Sequence, residues 1–547
     1  MEMASGRDRM AMGKTADPIK IREGVQMSKF HSTVSRRSFM KMMAATVGGV
    51  GGAALIAPVF HDIDELASSA KGVLKRPWYV KKRDYDNPTT EIDWSLYKRH
   101  DCRYNAQSQH GRAIYYGPDK VENASNVGST ATTQRKAAGD PGYSYRNYAL
   151  RAGRSSSFGT YASKAWAGFS TNATWTKGGG TAYANSQSPT DRGEPKYTGT
   201  PDDNTKILGA YLRYMGSGVS GFGELTGHNR DNVISNNHKG PTTGYTRPAT
   251  GISDNVPMPS ATCKNIIFDN AATVGEERAV SYVVPGAKPM FFMSMFLPGN
   301  IEMARHGWAA GQQGASQYTA TGLYVGTAKF LNYLGYEMLG DDGDNGTPFI
   351  EQAAAVLTGV GESSRQGNYT LTPEYGCPGR IHNNLTDFPL APTQPIDAGL
   401  FRFCHACHKC ANSCPPNAIT QDKEPTWELP QIPSTTGITA NFIHQQGTKE
   451  FFLNTAACQQ FFTENGNCFA CYGNCTFTTD MGAMAHQVIR GVIPTISVFD
   501  GFFYKMGEAF GYGVAQQKSE DWWDQSLPVL GTDTARVAFD GGYSKLM

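Results

Sequence analysis

Four thiols within one short run leave a chain few choices. They stand at Cys404, Cys407, Cys410 and Cys414, with Pro415 next, in the order C-x2-C-x2-C-x3-C-P. That spacing wraps three thiolates round one iron–sulfur cubane, while the proline turns the fourth toward a second cubane. Cys458, Cys468, Cys471 and Cys475 supply the complement, so eight of the eleven cysteines lie between residues 403 and 476. By the crossing rule for paired runs, Cys404, Cys407, Cys410 and Cys475 form one set, and Cys414, Cys458, Cys468 and Cys471 the other. Paired zinc sites are the competing account, but the first run is not a tetrahedral zinc spacing. Two departures mark the second run: nine residues separate Cys458 from Cys468, and Thr476 stands where a proline is expected. The stretch reads as an electron-entry module.

Composition says what the electrons do not serve. A formal charge of +2, from 50 basic and 48 acidic residues, gives no reason to expect nucleic acid as a partner. An odd count of cysteines, mostly at cluster spacing, argues against a disulfide framework. The remaining Cys102, Cys263 and Cys377 read as buried small hydrophobes. With 547 residues, the chain is long enough for one large domain or two to three ordinary ones. Sixty-one glycines and a mean hydropathy of -0.42 suggest a loop-rich chain rather than a membrane protein.

Near the N-terminus, Ser35-Arg36-Arg37-Ser38-Phe39-Met40-Lys41 precedes an uncharged, Gly/Ala-rich run from Met42 to Ala57 after its lysine. Paired arginines ahead of such a run form a twin-arginine export signal. A basic surface patch before a Gly-rich loop is the bland alternative. The run is shorter than the roughly 20 strongly apolar residues of a spanning helix. This export route carries folded proteins, which suits a chain whose cofactors are inserted in the cytoplasm. Residues 1–26 are expected to be a misassigned start or an extension, with translation beginning at Met27. Several small residues lie between Ala57 and Ala70, but no single one marks a cleavage site.

The segments Arg76–Val80 and Ile92–Leu96 read as extended chain laid on a body. Residues 104–200 carry few aliphatics and no clear period, and are expected to be irregular, an insertion over an active site or a disordered stretch. Order returns at Thr200-Pro201-Asp202-Asp203, a helix start. Ile207, Leu208, Tyr211, Leu212 and Met215 follow at helical spacing to Gly216, and Val219–Leu225 reads as a strand. Met290–Leu297 is a second strand, followed by a helix from Tyr318 to Leu334 that ends at Gly335. The alternation favours an α+β fold with an α/β-like core.

Several further stretches carry a resemblance. Gly359-Val-Gly361-Glu-Ser-Ser364-Arg365-Gln-Gly367, Pro373-Glu-Tyr-Gly376, Thr386-Asp-Phe-Pro-Leu-Ala-Pro392 and Ile396-Asp-Ala-Gly399 lie before the cysteines. Val498-Phe-Asp-Gly-Phe-Phe503, Gly511-Tyr-Gly513 and Trp522-Trp523 follow them. Together with the export signal and the cysteine runs, they resemble the corrinoid-dependent reductive dehalogenases of organohalide-respiring bacteria. The resemblance covers residues 28–100 and 320–547. It implies a base-off cobamide in a nitroreductase-like domain, fed by two 4Fe-4S clusters in a C-terminal ferredoxin-like domain. No D-x-H-x-x-G corrinoid motif occurs, so the corrinoid comes from the resemblance alone.

The resemblance assigns roles residue by residue. Arg380 becomes the catalytic cation, Tyr318 the proton donor with Tyr324 as the fallback, and Asn345 a third catalytic residue. Gly359, Gly361, Ser364, Arg365 and Gly367 line the corrinoid, where glycines let backbone come close. A phenol with a pKa of about 10 donates readily only if a cation stabilises the phenolate. His405 and His408 are expected to be hydrogen-bonding or surface groups rather than iron ligands.

The expected organisation is an N-terminal irregular region at 71–199 after the signal region at 27–70. A corrinoid-binding core follows at 200–395, then the two-cluster domain at 396–490 and a tail at 491–547 packing on the core. The implied partners are a small organohalide, a small integral-membrane anchor subunit and a membrane electron donor, with the enzyme on the outer face of the cytoplasmic membrane. Two other readings compete: an iron–sulfur electron carrier without substrate chemistry, and chemistry like that of epoxyqueuosine reductase. The export signal and neutral charge argue against the latter.

Overall fold

The computed structural model describes residues 76–77, 79–102, 109–149, 188–237, 264–305, 319–340, 348–367, 369–430 and 445–478, with isolated positions from 489 to 523. The twin-arginine stretch, Cys263, Tyr318 and Asn345 lie outside the described residues, as does most of the stretch after 478.

In chain order the elements are β1 (Lys81–Lys82), α1 (Gln109–Tyr116), α2 (Pro118–Ala138), α3 (Pro201–Tyr214) and β2 (Val219–Glu224). Then come β3 (Asn265–Asp269), β4 (Glu276–Glu277), β5 (Ser281–Pro285), β6 (Phe291–Pro298), α4 (Thr319–Leu334) and β7 (Met338–Leu339). They are followed by α5 (Glu351–Leu357), β8 (Gly379–Thr386), β9 (Ile396–Asp397), α6 (Leu400–Ala406), α7 (Lys409–Asn412), α8 (Thr455–Glu464) and α9 (Ala470–Asn474).

The core is a four-stranded sheet in the order β2-β6-β8-β7. Strand β6 is buried along its whole length, as its unbroken apolar run requires. The pleat divides its side chains. Phe291, Met293, Met295 and Leu297 join Leu208 and Leu212 of α3 and Leu323 and Leu331 of α4 in one cluster. Phe292 meets Ala354 and Leu357 of α5 in another, and Phe296 packs with Ala355 and Tyr375. Helices thus cover both faces, and each fully buried Phe or Leu contributes about 1.5–3 kcal/mol. Helix α3 begins as its sequence predicts, with the Thr200 hydroxyl accepting the Asp203 amide hydrogen and proline in its first turn.

Two expectations are corrected. The mixed helix–strand fold is α+β, but the alternation does not build a parallel, α/β-like sheet: β2, β6, β8 and β7 all pair antiparallel. A strand buried on both faces reads the same in either pairing, so periodicity does not separate them. The expected irregular region, where described, contains α1 and α2. Helix α2 carries proline in its first turn and a left-handed Gly139 at its end. Its buried side chains include Val121 and Ala124, and Gly128 shares that face, so the stripe is small rather than aliphatic. A Cβ on Gly128 would lie 2.1 Å from the Thr463 carbonyl oxygen. Helix α2 therefore docks closely on α8, beside the second cysteine run, where an insertion over an active site was expected.

Segment β1 pairs with β9, and Ile92 bridges Thr448, so the extended chain after Arg76 does lie along the body. Among the described residues, no helix is long and apolar enough to cross a membrane.

Candidate functional site

The cysteines sit on short helices that the core positions. Helix α6, which carries Cys404, starts where the Glu362 carboxylate accepts the Ala398 and Leu400 amide hydrogens at 3.0 and 2.9 Å. Cys407 follows its last turn, α7 carries Cys410, and the Cys414 sulfur accepts the Ala418 amide hydrogen at 3.2 Å. Helix α8 carries Cys458, and α9, which packs against α7, carries Cys471 and ends at Cys475. Phe401, Phe403, Phe451, Phe469, Tyr472 and Phe477 make the surroundings apolar.

Both departures of the second run have a structural reason. Helix α8 continues beyond Cys458 to rest on α2, and a turn through Gly466 (φ 66°) and Asn467 (φ 111°) returns the chain to Cys468. Thr476, in place of proline, sets its hydroxyl 3.4 Å from the Cys407 sulfur.

These cysteines are free of disulfides. Burial raises the Cys404 thiol, with Cys407 and Cys475 adding to the effect. Cys410 is raised by burial, then by Cys407, Cys404 and Cys475. Burial pushes Cys458 up to about 12, with Cys468 and Cys414 contributing. Cys468 rises to about 11 through burial and then Cys414. Cys471 is raised by burial and next by Cys458 and Cys468, and it feels Cys410 across the gap between the sets. In such surroundings the thiols do not ionise without cations to meet them. Among the described residues, no three or more Cys, His, Asp or Glu side chains are gathered closely enough to hold a single metal ion.

The Gly359–Gly367 segment runs from the core to this module. Added Cβ atoms on Gly359 and Gly361 would lie 2.1 Å from the Gln394 carbonyl oxygen and 2.2 Å from that of Leu371. The Ser364 hydroxyl donates to the Tyr369 carbonyl at 2.7 Å, and Gly367 (φ 76°) lies against Leu453. Arg365 points into the cysteine module, donating to the Cys404 and Cys407 carbonyls at 3.0 and 2.9 Å. Gln366 donates to the Cys471 carbonyl at 2.9 Å. His405 pairs with Glu424 at 2.8 Å, a partly exposed contact in keeping with its expected role.

Arg380 lies on β8 opposite Leu297, His382 opposite Met295, and Asn384 opposite Met293. Residues directly opposite share a face, so these three polar side chains look toward the α3 and α4 side of the sheet. His382 and Asn384 are buried, and Arg380 is partly exposed. The Tyr324 hydroxyl donates to the Gly340 carbonyl.

Three groups beside the cysteines escaped the sequence reading. Glu362 anchors α6, and its place inside the glycine-rich segment was the available signal. The Cys377 sulfur lies 3.4 Å from the Thr478 hydroxyl, and a hydrogen bond between Cys377 and Cys475 is the foremost influence raising the latter. Arg490 donates to the Pro373 and Phe477 carbonyls at 2.5 and 2.6 Å. No local pattern marked either of these.

A family profile described as reductive dehalogenase subunit matches residues 75–390. The chain is 29% identical to a chloroethene reductive dehalogenase of Dehalococcoides mccartyi (strain VS), over 93% of this chain and 99% of that one. It is 27% identical to a trichloroethene reductive dehalogenase of another strain of that species, over 92% and 98% respectively. Among solved structures it resembles the catabolic reductive dehalogenase NpRdhA, with a TM-score of 0.50 and 14% identity. That match covers 81% of this chain and 50% of the other, and it concerns the fold.

Proposed function

We propose, from the premise that this chain belongs to the reductive dehalogenase family, that it is an exported respiratory oxidoreductase removing halide from an organohalide with electrons delivered through two 4Fe-4S clusters. The observation that carries the reading is eight disulfide-free cysteines, three buried and five partly buried, gathered on and beside short helices in an apolar surround, the donor chemistry that paired cubanes need. Cys404, Cys407, Cys410 and Cys475 would hold one cluster, and Cys414, Cys458, Cys468 and Cys471 the other. In this reading residues 200–395 form a nitroreductase-like domain for a base-off corrinoid, and 396–490 a ferredoxin-like domain.

Arg380, His382 and Asn384 give one face of β8 a polar character that would suit a polar-edged ligand. When bound, the clusters supply one-electron transfer and the corrinoid supplies low-potential cobalt chemistry at the carbon–halogen bond. The balance is one organohalide, two electrons and one proton in, and one C–H product and one halide out. In this reading Tyr318 would give the proton, and the permanent positive charge of Arg380 would lower the cost of a donor whose ordinary pKa is about 10. Asn345 would be the third catalytic residue. Gly359, Gly361, Ser364 and Gly367 would hold the corrinoid through backbone, since Gln394, Leu371 and Leu453 fill the space beside the three glycines and the Ser364 hydroxyl is spent on Tyr369.

Chlorinated ethenes are the first substrates to try, since the two near-full-length relatives are named for them. The Ser35–Lys41 stretch directs export to the outer face of the cytoplasmic membrane, where a small integral-membrane subunit anchors the enzyme beside its electron donor. Substituting both Arg36 and Arg37 by Lys would then keep the protein in the cytoplasmic fraction.

The deciding experiment is anaerobic reconstitution with iron, sulfide and a cobamide, followed by metal analysis and a halide-release assay with reduced viologen. About eight irons and one cobalt per chain, with halide release, is the expected result for two cubanes and one corrinoid. Iron without cobalt or halide release would make the chain an electron carrier.

A further inference from the structure

Arg365 is fully buried. Its guanidinium is spent on backbone carbonyls: Nε on Cys404 and Cys407 at 3.0 and 2.9 Å, and Nη2 on Cys404 at 2.8 Å. Nη1 donates to Thr420 and Asp422 at 3.0 and 2.6 Å. The charged carbon lies 4.1 Å above the Phe451 ring centre. No ion pair with a carboxylate accompanies it among the described residues. A guanidinium keeps its proton even here, and a buried charge that meets only neutral dipoles is costly. An anion is needed to balance it, and those that act on it are first the thiols Cys404, Cys410 and Cys407, all of the first set, and then the Asp422 carboxylate, which makes no ion pair with it.

Resting on the two-cluster reading, we propose that Arg365 is the counter-cation of the cluster held by Cys404, Cys407, Cys410 and Cys475 and raises the potential of that cluster alone. A cubane with four thiolates is a net anion, and reduction adds one more negative charge. A fixed cation alongside favours the reduced form and raises the midpoint. The same set gathers further positive charge: Lys409 acts on Cys407, and Arg490 on Cys475. Near the second set Arg135 acts on Cys468, but no guanidinium among the described residues donates to the Cys414, Cys458 or Cys468 carbonyl as Arg365 does to those of Cys404 and Cys407. Arg365 is thus a positioning and tuning residue at the joint between the core and the cysteine module.

The test is a redox titration of the anaerobically reconstituted full chain, read by electron paramagnetic resonance alongside iron content. In R365Q holding about eight irons, one midpoint is expected to fall by at least a tenfold change in reduced-to-oxidised ratio, or about 59 mV for one electron, while the other stays. R365K keeps the charge and is expected to hold that midpoint within a threefold ratio. Unchanged midpoints in R365Q, or two that move together, overturn the proposal. So does an R365K midpoint as low as that of R365Q, which would credit the fork rather than the charge. If R365Q does not retain iron, R365K decides: a preserved midpoint supports the proposal, and a lowered midpoint or lost iron reduces Arg365 to a structural staple. Wild-type chain that binds no iron would instead defeat the two-cluster reading.

Discussion

Replacing Glu362 by glutamine should remove a pH-dependent cost from folding. The carboxyl is 1% exposed, and one of its oxygens accepts two amide hydrogens at the start of α6. Burial pushes it from 4.5 up to about 7; the Leu400 amide opposes this, Asp397 adds to it, and the Ala398 amide and Thr89 oppose it. Between those two values the native protein keeps a proton that the unfolded chain has released, so stability falls as pH rises through the window and levels off above about 7. At about 1.36 kcal/mol per decade, the full cost is on the order of 3 kcal/mol. Glutamine still offers an oxygen to both amides but carries no titrating proton. The wild-type minus variant unfolding free energy is therefore expected to decline by that amount from pH 4.5 to 7 and to be flat above. Urea unfolding of anaerobic, cluster-loaded protein at half-unit pH steps, followed by tryptophan fluorescence, measures it. A difference that stays constant across the window would refute the reasoning.

Gly376→Ala places a Cβ 2.2 Å from the Phe477 carbonyl oxygen at a φ of 72°. The left-handed backbone costs about 1–2 kcal/mol and overpacking about 1–3, so a loss of about 2–5 kcal/mol is expected in denaturant unfolding. Arg380→Leu should lower halide release by about a hundredfold or more while leaving iron content and cluster spectra unchanged, as loss of help to a proton donor implies. Tyr324→Phe removes a buried hydrogen bond and should cost about 0.5–1.5 kcal/mol in the same unfolding measurement, with turnover retained. Lost turnover in that variant would move the proton-donor assignment from Tyr318 to Tyr324.

Much of this protein is written locally. The cysteine spacing, with Pro415, marked the stretch where the thiols gather, because such short gaps keep their side chains on neighbouring turns. Helix α3 and strands β2 and β6 were legible for the same kind of reason: Thr200 and Pro201 cap a period of apolar residues, and an unbroken apolar run of that length must be buried. Tertiary structure decided the rest. Helix α2 buries small residues against α8, and a stripe that includes Ala124 and Gly128 carries almost no hydrophobic signal. The antiparallel pairing of the sheet depends on which distant strand arrives beside β6, which no period records. Arg365 shows the difference most plainly. As a residue in a glycine-rich segment it read as part of a corrinoid pocket, yet its guanidinium ends on carbonyls of Cys404 and Cys407, some forty residues away in sequence. Spacing along the chain determines which groups share a loop; which charge comes to lie beside them depends on long-range packing, and the sequence alone does not state it.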